Sequence, residues 1–267
     1  MTRISSLSEL TSGGPANQVL GTRFANQAPM SSVTDYIITP RHPTAQGGHD
    51  TQGMNSLAWG AFGLAALASA GDMISILRHD KRLEYATKPA VMVFLILAAL
   101  VLHPASQGER ALFVAALALG LAGDVFLMLP DTYLLPGIVA FLAGHLAYAG
   151  GFRFAGFSAL GLLAGLAIVI ATASLFLHRV LAALQGTSRA RLRNPVIAYA
   201  IVISLMTVSA TASGNLVAAA GGLLFFYSDV IFAWYRFVKP VRWGQPVNIV
   251  MYQAGQALLV LSLAVAS

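Results

Sequence analysis

The chain has 267 residues, of which 57% are hydrophobic and only 10% charged, with a mean hydropathy of +0.72. That composition excludes a soluble globular domain and describes an integral membrane protein. The net charge of +6 comes without a basic stripe interleaved with aromatics, so nucleic acid is not an expected partner, and the absence of cysteine excludes disulfides and thiolate-bound metals.

Residues 1–52 are rich in Ser, Thr, Gly, Pro, Asn and Gln and hold no apolar run that could act as a signal peptide. They read as a disordered polar tail ahead of a transmembrane domain over 53–267. Glu9, Asp35 and Asp50, set among Arg3, Arg23 and Arg41, argue against an organelle transit peptide, which favours a bacterial inner membrane over an organelle membrane.

Eight apolar runs follow, over approximately 56–78, 88–103, 110–129, 133–151, 154–178, 194–213, 215–236 and 246–266. A hydrocarbon layer of about 30 Å takes about twenty residues of helix to cross. The runs are continuous and Leu/Ala-rich, without the alternation of a barrel strand, so the expected fold is an all-α, polytopic membrane protein of about eight transmembrane helices. The second run is short, and only Gly150-Gly151-Phe152-Arg153 divides the fourth from the fifth. The connections after helices 1, 3, 5 and 7 carry eleven of the sixteen Lys and Arg residues, which predicts that they face the cytoplasm and that both termini lie outside.

Three runs contain an acid, Asp72 in the first and, in surroundings that match one another, Asp124 in Ala-Gly-Asp-Val-Phe-Leu at 122–127 and Asp229 in Tyr-Ser-Asp-Val-Ile-Phe at 227–232. A carboxylate at that depth costs about 2.5–3.5 kcal/mol or more and marks function by default. Lys88-Pro89 and Asn194-Pro195 precede Asp124 and Asp229 by 36 and 35 residues, and Ala143-Gly144-His145 and Ala254-Gly255-Gln256 follow them. Three features in the same order point to a 4+4 parallel internal duplication.

This topology brings Asp124, Asp229, Lys88, Tyr199, Tyr252, Gln253 and Gln256 into the cytoplasmic third of the bundle. On helix 4, Gly137, Phe141, Gly144, His145 and Tyr148 fall on one stripe, with His145 nearer the bilayer middle. Each has a plainer reading: Lys88 can snorkel to headgroups, His145 can hydrogen-bond a neighbouring helix, and Asp72 can be neutralised by Arg78, one to two turns away. Ser228 is rotated by about 100 degrees from Asp229 and cannot form a nucleophile–base pair with it; it counts only as a possible polar contact for substrate.

Two carboxyl groups in a low-dielectric pocket can divide into an acid and a base, the arrangement that cleaves acetal-like C–O bonds. The chain has no Cys nucleophile, no G-x-S-x-G elbow and no His-Glu-x-x-His helix, and no cofactor is expected.

Lys88-Pro89, Gly-Asp-Val-Phe-Leu-Met-Leu at 123–129, the Gly-x3-Phe-x2-Gly-His-x2-Tyr stripe from Gly137 to Tyr148, Gly-x-Leu-Phe-Phe-x-Ser-Asp at 222–229 and Tyr252-x3-Gln256 resemble the YhhN-like lysoplasmalogenase family of eight-helix membrane proteins. The resemblance covers roughly 56–266 and departs from the family at Gly255, where alanine is commoner. It implies hydrolysis of the vinyl ether bond of a lysoplasmalogen, with one of Asp124 and Asp229 as acid and the other as base. It further implies Lys88 on the headgroup phosphate, Tyr252, Gln253 and Gln256 orienting glycerol or water, and His145 as a secondary contact or relay. A proton-coupled lipid or small-solute carrier is the rival from another class, and a non-catalytic scaffold is a third that leaves two costly acids without a use.

Overall fold

The computed structural model describes residues 54–187 and 189–265; the polar stretch read as a disordered tail lies outside them. Among the described residues there is no strand. The eight long helices are α1 (Ser56–Arg78), α2 (Lys81–Val101), α3 (Gln107–Met128), α4 (Leu134–Gly151), α5 (Ala159–Leu184), α6 (Arg193–Ala212), α7 (Leu216–Ala233) and α8 (Gly244–Ser262). A five-residue π-helical turn, Trp234–Val238, extends α7. Seven of the helices are long and apolar enough to cross a membrane, so the protein is polytopic. The eighth, α8, falls short in hydropathy because its buried face carries Asn248, Gln253 and Gln256.

Polar caps set the boundaries that hydropathy misplaced. The helix expected to open at Lys88 opens at Lys81, because the Asp80 side chain accepts from the N–H groups of Arg82 and Leu83 at 3.0 and 3.2 Å. The fifth helix, expected over 154–178, begins at Ala159 behind a Ser158 cap that accepts from Gly161 N–H at 3.0 Å, and runs on through His178 and Arg179 to Leu184. At the far end of the molecule Asn215 caps α7 and donates to the carbonyls of Ser262 and Val265 at 3.2 and 2.9 Å, which fastens the last turn of α8 to the start of α7.

Successive helices pair as hairpins, α1 with α2, α3 with α4, α5 with α6 and α7 with α8. Between hairpins, α4 packs on α6 and α8 packs on α2, as a rotation exchanging two four-helix halves requires. The register repeats as well. A methyl group at Gly144 would lie 3.2 Å from Ala116 O and 3.8 Å from Gly120 N, eight and four residues before Asp124. One at Gly255 would lie 3.0 Å from Gly221 O and 2.9 Å from Phe225 N, eight and four residues before Asp229. Backbones approach that closely only where the side chain is hydrogen.

Candidate active site

Asp124 faces inward from α3 and is almost fully buried, its side chain 2% exposed. Tyr252 on α8 donates its hydroxyl to Oδ2 at 2.8 Å, and the ammonium of Lys88 on α2 lies 3.5 Å from Oδ1. Lys88 is therefore buried against an acid and does not reach for headgroups. Gly120, one turn before Asp124, leaves the room: a methyl there would sit 3.2 Å from Gln256 Nε2 and 3.5 Å from the Tyr252 hydroxyl.

Asp229 projects from α7 and is more open, 19% exposed. Its Oδ2 accepts from the Tyr199 hydroxyl on α6 at 2.7 Å, and Tyr199 is in turn 2.9 Å from His145 Nε2 on α4, which lies 3.4 Å from the same carboxylate oxygen. Each acid thus meets one side chain from the second helix of its own half, Lys88 or Tyr199, and one from the fourth helix of the other half, Tyr252 or His145. The Phe225 ring links the two groups, edge-on to His145 at 4.7 Å and to Tyr252 at 5.1 Å between centroids.

Both carboxylates open into one cavity of about 350 Å³, whose wall also holds Lys88, Tyr199 and Tyr252. Between α5, α6 and α7 the cavity is lined by the apolar side chains of Phe176, Leu177, Val196, Ile203 and Val230. Toward the basic connections its wall carries Lys81, Glu84, Asp131, Arg236 and Gln245. The cavity is therefore amphipathic, part of its wall apolar and part charged.

The remaining expected site residues stand behind this wall. Tyr148 donates to Gln256 Oε1 at 2.5 Å; Gln256 Nε2 and His145 Nδ1 have no hydrogen-bond partner among the described residues. Ser228 Oγ is turned onto its own helix, 2.6 Å from the Phe225 carbonyl. Gln253 turns toward α1, where its Nε2 donates to Asp72 at 2.7 Å and its Oε1 accepts from Ser69.

Asp72 corrects a further expectation. It is fully buried, and its neighbours are Gln253 and the hydroxyls of Ser75 and Thr87, each 3.5 Å from Oδ1; no ion pair with Arg78 forms. The signal available in the chain was Ser69, Asp72 and Ser75 at spacings of three, a polar stripe on one face of an otherwise apolar helix. Among the described residues no group of three His, Cys, Asp or Glu side chains could hold a metal ion.

Comparison with known proteins agrees with the resemblance seen in the motifs. Human lysoplasmalogenase TMEM86B is 35% identical over 159 residues, covering 59% of this chain and 65% of that protein. Mouse TMEM86B is 31% identical over 151 residues (57% of this chain, 62% of the relative), and bovine lysoplasmalogenase TMEM86A is 31% identical over 174 residues (61% and 68%). The chain thus spans just under two thirds of the length of the two TMEM86B relatives. No solved structure matches it. The model of the YhhN family matches residues 83–263, which takes in nearly all of α2 and the whole of α3 through α8, and with them Asp124, Asp229 and the side chains of Lys88, His145, Tyr199 and Tyr252 that meet them; the chain belongs to the YhhN family.

Proposed function

We propose that this protein is a membrane-embedded lysoplasmalogenase, a hydrolase that cleaves the vinyl ether bond of a lysoplasmalogen to a fatty aldehyde and a glycerophospho-ethanolamine or -choline. The observation that carries the reading is the meeting of Asp124 and Asp229 in one amphipathic cavity. It is supported by the activity named for the relatives in human, mouse and cow. No broken helix of the kind that carriers use at their ion sites accompanies the acids; α3 and α7 run through Asp124 and Asp229 unbroken.

The chemistry assigns one role to each acid. Asp229, which forms no ion pair with Lys or Arg among the described residues, is the general acid and delivers its proton to the β-carbon of the vinyl ether. The positive charge that appears on the adjoining carbon and oxygen is an oxocarbenium ion. Asp124, kept as a carboxylate partner of Lys88, stabilises that cation and takes a proton from the water that adds to it. The hemiacetal so formed breaks its bond to the glycerol oxygen, which takes the proton held by Asp124 while Asp229 takes the hydroxyl proton, giving aldehyde and free alcohol with one water consumed and both acids restored. Tyr199 and Tyr252 hold the two carboxyl groups in position, His145 steadies Tyr199, and Gln256 and Tyr148 back Tyr252. The apolar wall between α5, α6 and α7 takes the hydrocarbon chain.

In the same reading the basic end of the bundle faces the cytoplasm of a bacterial inner membrane, both termini lie outside, and the substrate enters from the inner leaflet. Purified protein mixed with a synthetic lysoplasmalogen should release aldehyde. Retention of wild-type turnover by both Asp124→Asn and Asp229→Asn would refute the paired-acid mechanism.

A further inference from the structure

The rim of the cavity holds charges that the hydrolytic chemistry does not use. Asp131, at the start of the turn leading into α4, is shared by two guanidinium groups: Arg236 bonds to its Oδ1 and Arg189 Nη2 lies 3.4 Å from Oδ2. Arg189 also donates to the backbone carbonyl of Arg236 at 3.2 Å, so the pair is held as a unit. Two cations on one carboxylate leave a surplus positive charge. Arg236 belongs to the π-helical turn after α7, a distortion common at functional sites, and it lines the same cavity as the two acids.

The spacing suits a phospholipid. Arg236 follows Asp229 by seven residues, which at about 1.5 Å per residue places it about 10 Å nearer the basic end. A glycerol phosphate bridges that interval when the vinyl ether is at the acids. Lys88, to which the family resemblance gives the phosphate, is buried and held 3.5 Å from Asp124, at the level of the reacting bond. Arginine also matches phosphate better than lysine, through two parallel N–H···O bonds. Asp131 is 66% exposed and its competing hold on Arg236 is that of a surface pair, which an incoming phosphate can displace.

We infer that Arg236, braced by Arg189, is the phosphate subsite of the cavity and that Asp131 occupies it when no lipid is bound. The inference rests on the lysophospholipid reading above, and names where its headgroup sits.

The test is binding, so it stands apart from turnover. The probes are two saturated ethers that cannot undergo the cleavage, 1-O-alkyl-glycerophosphoethanolamine and 1-O-alkylglycerol of the same chain length, titrated into the purified full-length protein. Arg236→Gln should raise Kd for the phosphate-bearing ether about tenfold, the loss of one charge-assisted contact, and leave Kd for the alkylglycerol unchanged. Asp131→Asn should do the opposite, tightening the phosphate-bearing ether alone, because it removes the internal competitor. Equal weakening of both probes by Arg236→Gln, no effect on either, or weakening by Asp131→Asn would overturn the subsite. Aldehyde release measured beside it reports separately on the vinyl ether reading, which can fail while this pattern holds.

Discussion

At the scale of single residues, the site is a set of buried carboxyl groups whose partners are neutral hydroxyls and amides more often than charges. Tyr199 stands at the centre of one such set, donating to Asp229 and meeting His145. Tyr199→Phe keeps the ring and removes the hydroxyl, so it should lower kcat about tenfold with little change in KM, while the fold survives at a cost of about 1–3 kcal/mol for the groups left unpaired; turnover and thermal unfolding of the purified variant measure the two. Solvent labelling examines the proton delivered by the acid. In heavy water the aldehyde should carry one deuterium on the carbon beside the carbonyl, and an unlabelled product by mass spectrometry would exclude protonation of the vinyl carbon. Asp124 and Asp229 were legible from sequence because a carboxylate in an apolar run stands out against any background. Asp72 was assigned the wrong neighbour, since Arg78 is close in sequence while Gln253, 181 residues away, is brought alongside only when α1 and α8 pack. The snorkelling alternative for Lys88 fails for a related reason, since the residue is buried beside Asp124. Snorkelling is a property of an isolated helix end, and α2 begins two turns earlier than its apolar run.

At the scale of helices, the repeated glycine contacts govern how near α3 comes to α4 and α7 to α8. Gly221 and Gly255 face one another, and a methyl group on Gly221 would already lie 3.0 Å from Gly255 O and 2.9 Å from Leu259 N. Gly221→Leu should therefore force α7 and α8 apart, destabilise the protein by about 1–3 kcal/mol or more and displace Tyr252 from Asp124, seen as a lower melting temperature together with reduced turnover. A variant as stable and active as wild type would show that this approach is not needed. The small-residue spacing was visible in the sequence, and with it the suggestion of two halves. What the sequence did not reveal was the exchange between them, in which the fourth helix of each half supplies a side chain to the acid of the other. Periodicity identifies the face of a helix that is buried, but the neighbour on that face depends on the packing of all eight helices. Hydropathy also left the ends of α2 and α5 misplaced, because Asp80 and Ser158 start helices through hydrogen bonds that a hydropathy average does not register.

At the scale of the whole molecule, number and type of helices were legible from the length and order of the apolar runs, since only a bundle of about twenty-residue apolar segments satisfies its backbone in a bilayer. The exception is instructive: α8 falls short of a span by hydropathy because its buried face carries amide side chains, and its crossing depends on being covered by its neighbours. The orientation proposed from charge predicts that a reporter fused to the C-terminus is active on the non-cytoplasmic side; activity in the cytoplasm would put the basic rim and its Arg236 in the other leaflet. The cavity itself, with its two acids and its apolar and charged walls, could not be read from the chain, because those walls come from α2 through α8 and from the turns between them. Apolar and charged walls around two acids are what the proposed single-chain phospholipid would meet. The decisive measurement is aldehyde release from a synthetic lysoplasmalogen by the purified wild-type protein and by Asp124→Asn and Asp229→Asn, each shown to be folded. The expected result is turnover by the wild type and a loss of at least about a hundredfold in each variant, the scale of losing an acid or a base; wild-type activity in both variants, or none in the wild type, would contradict the account.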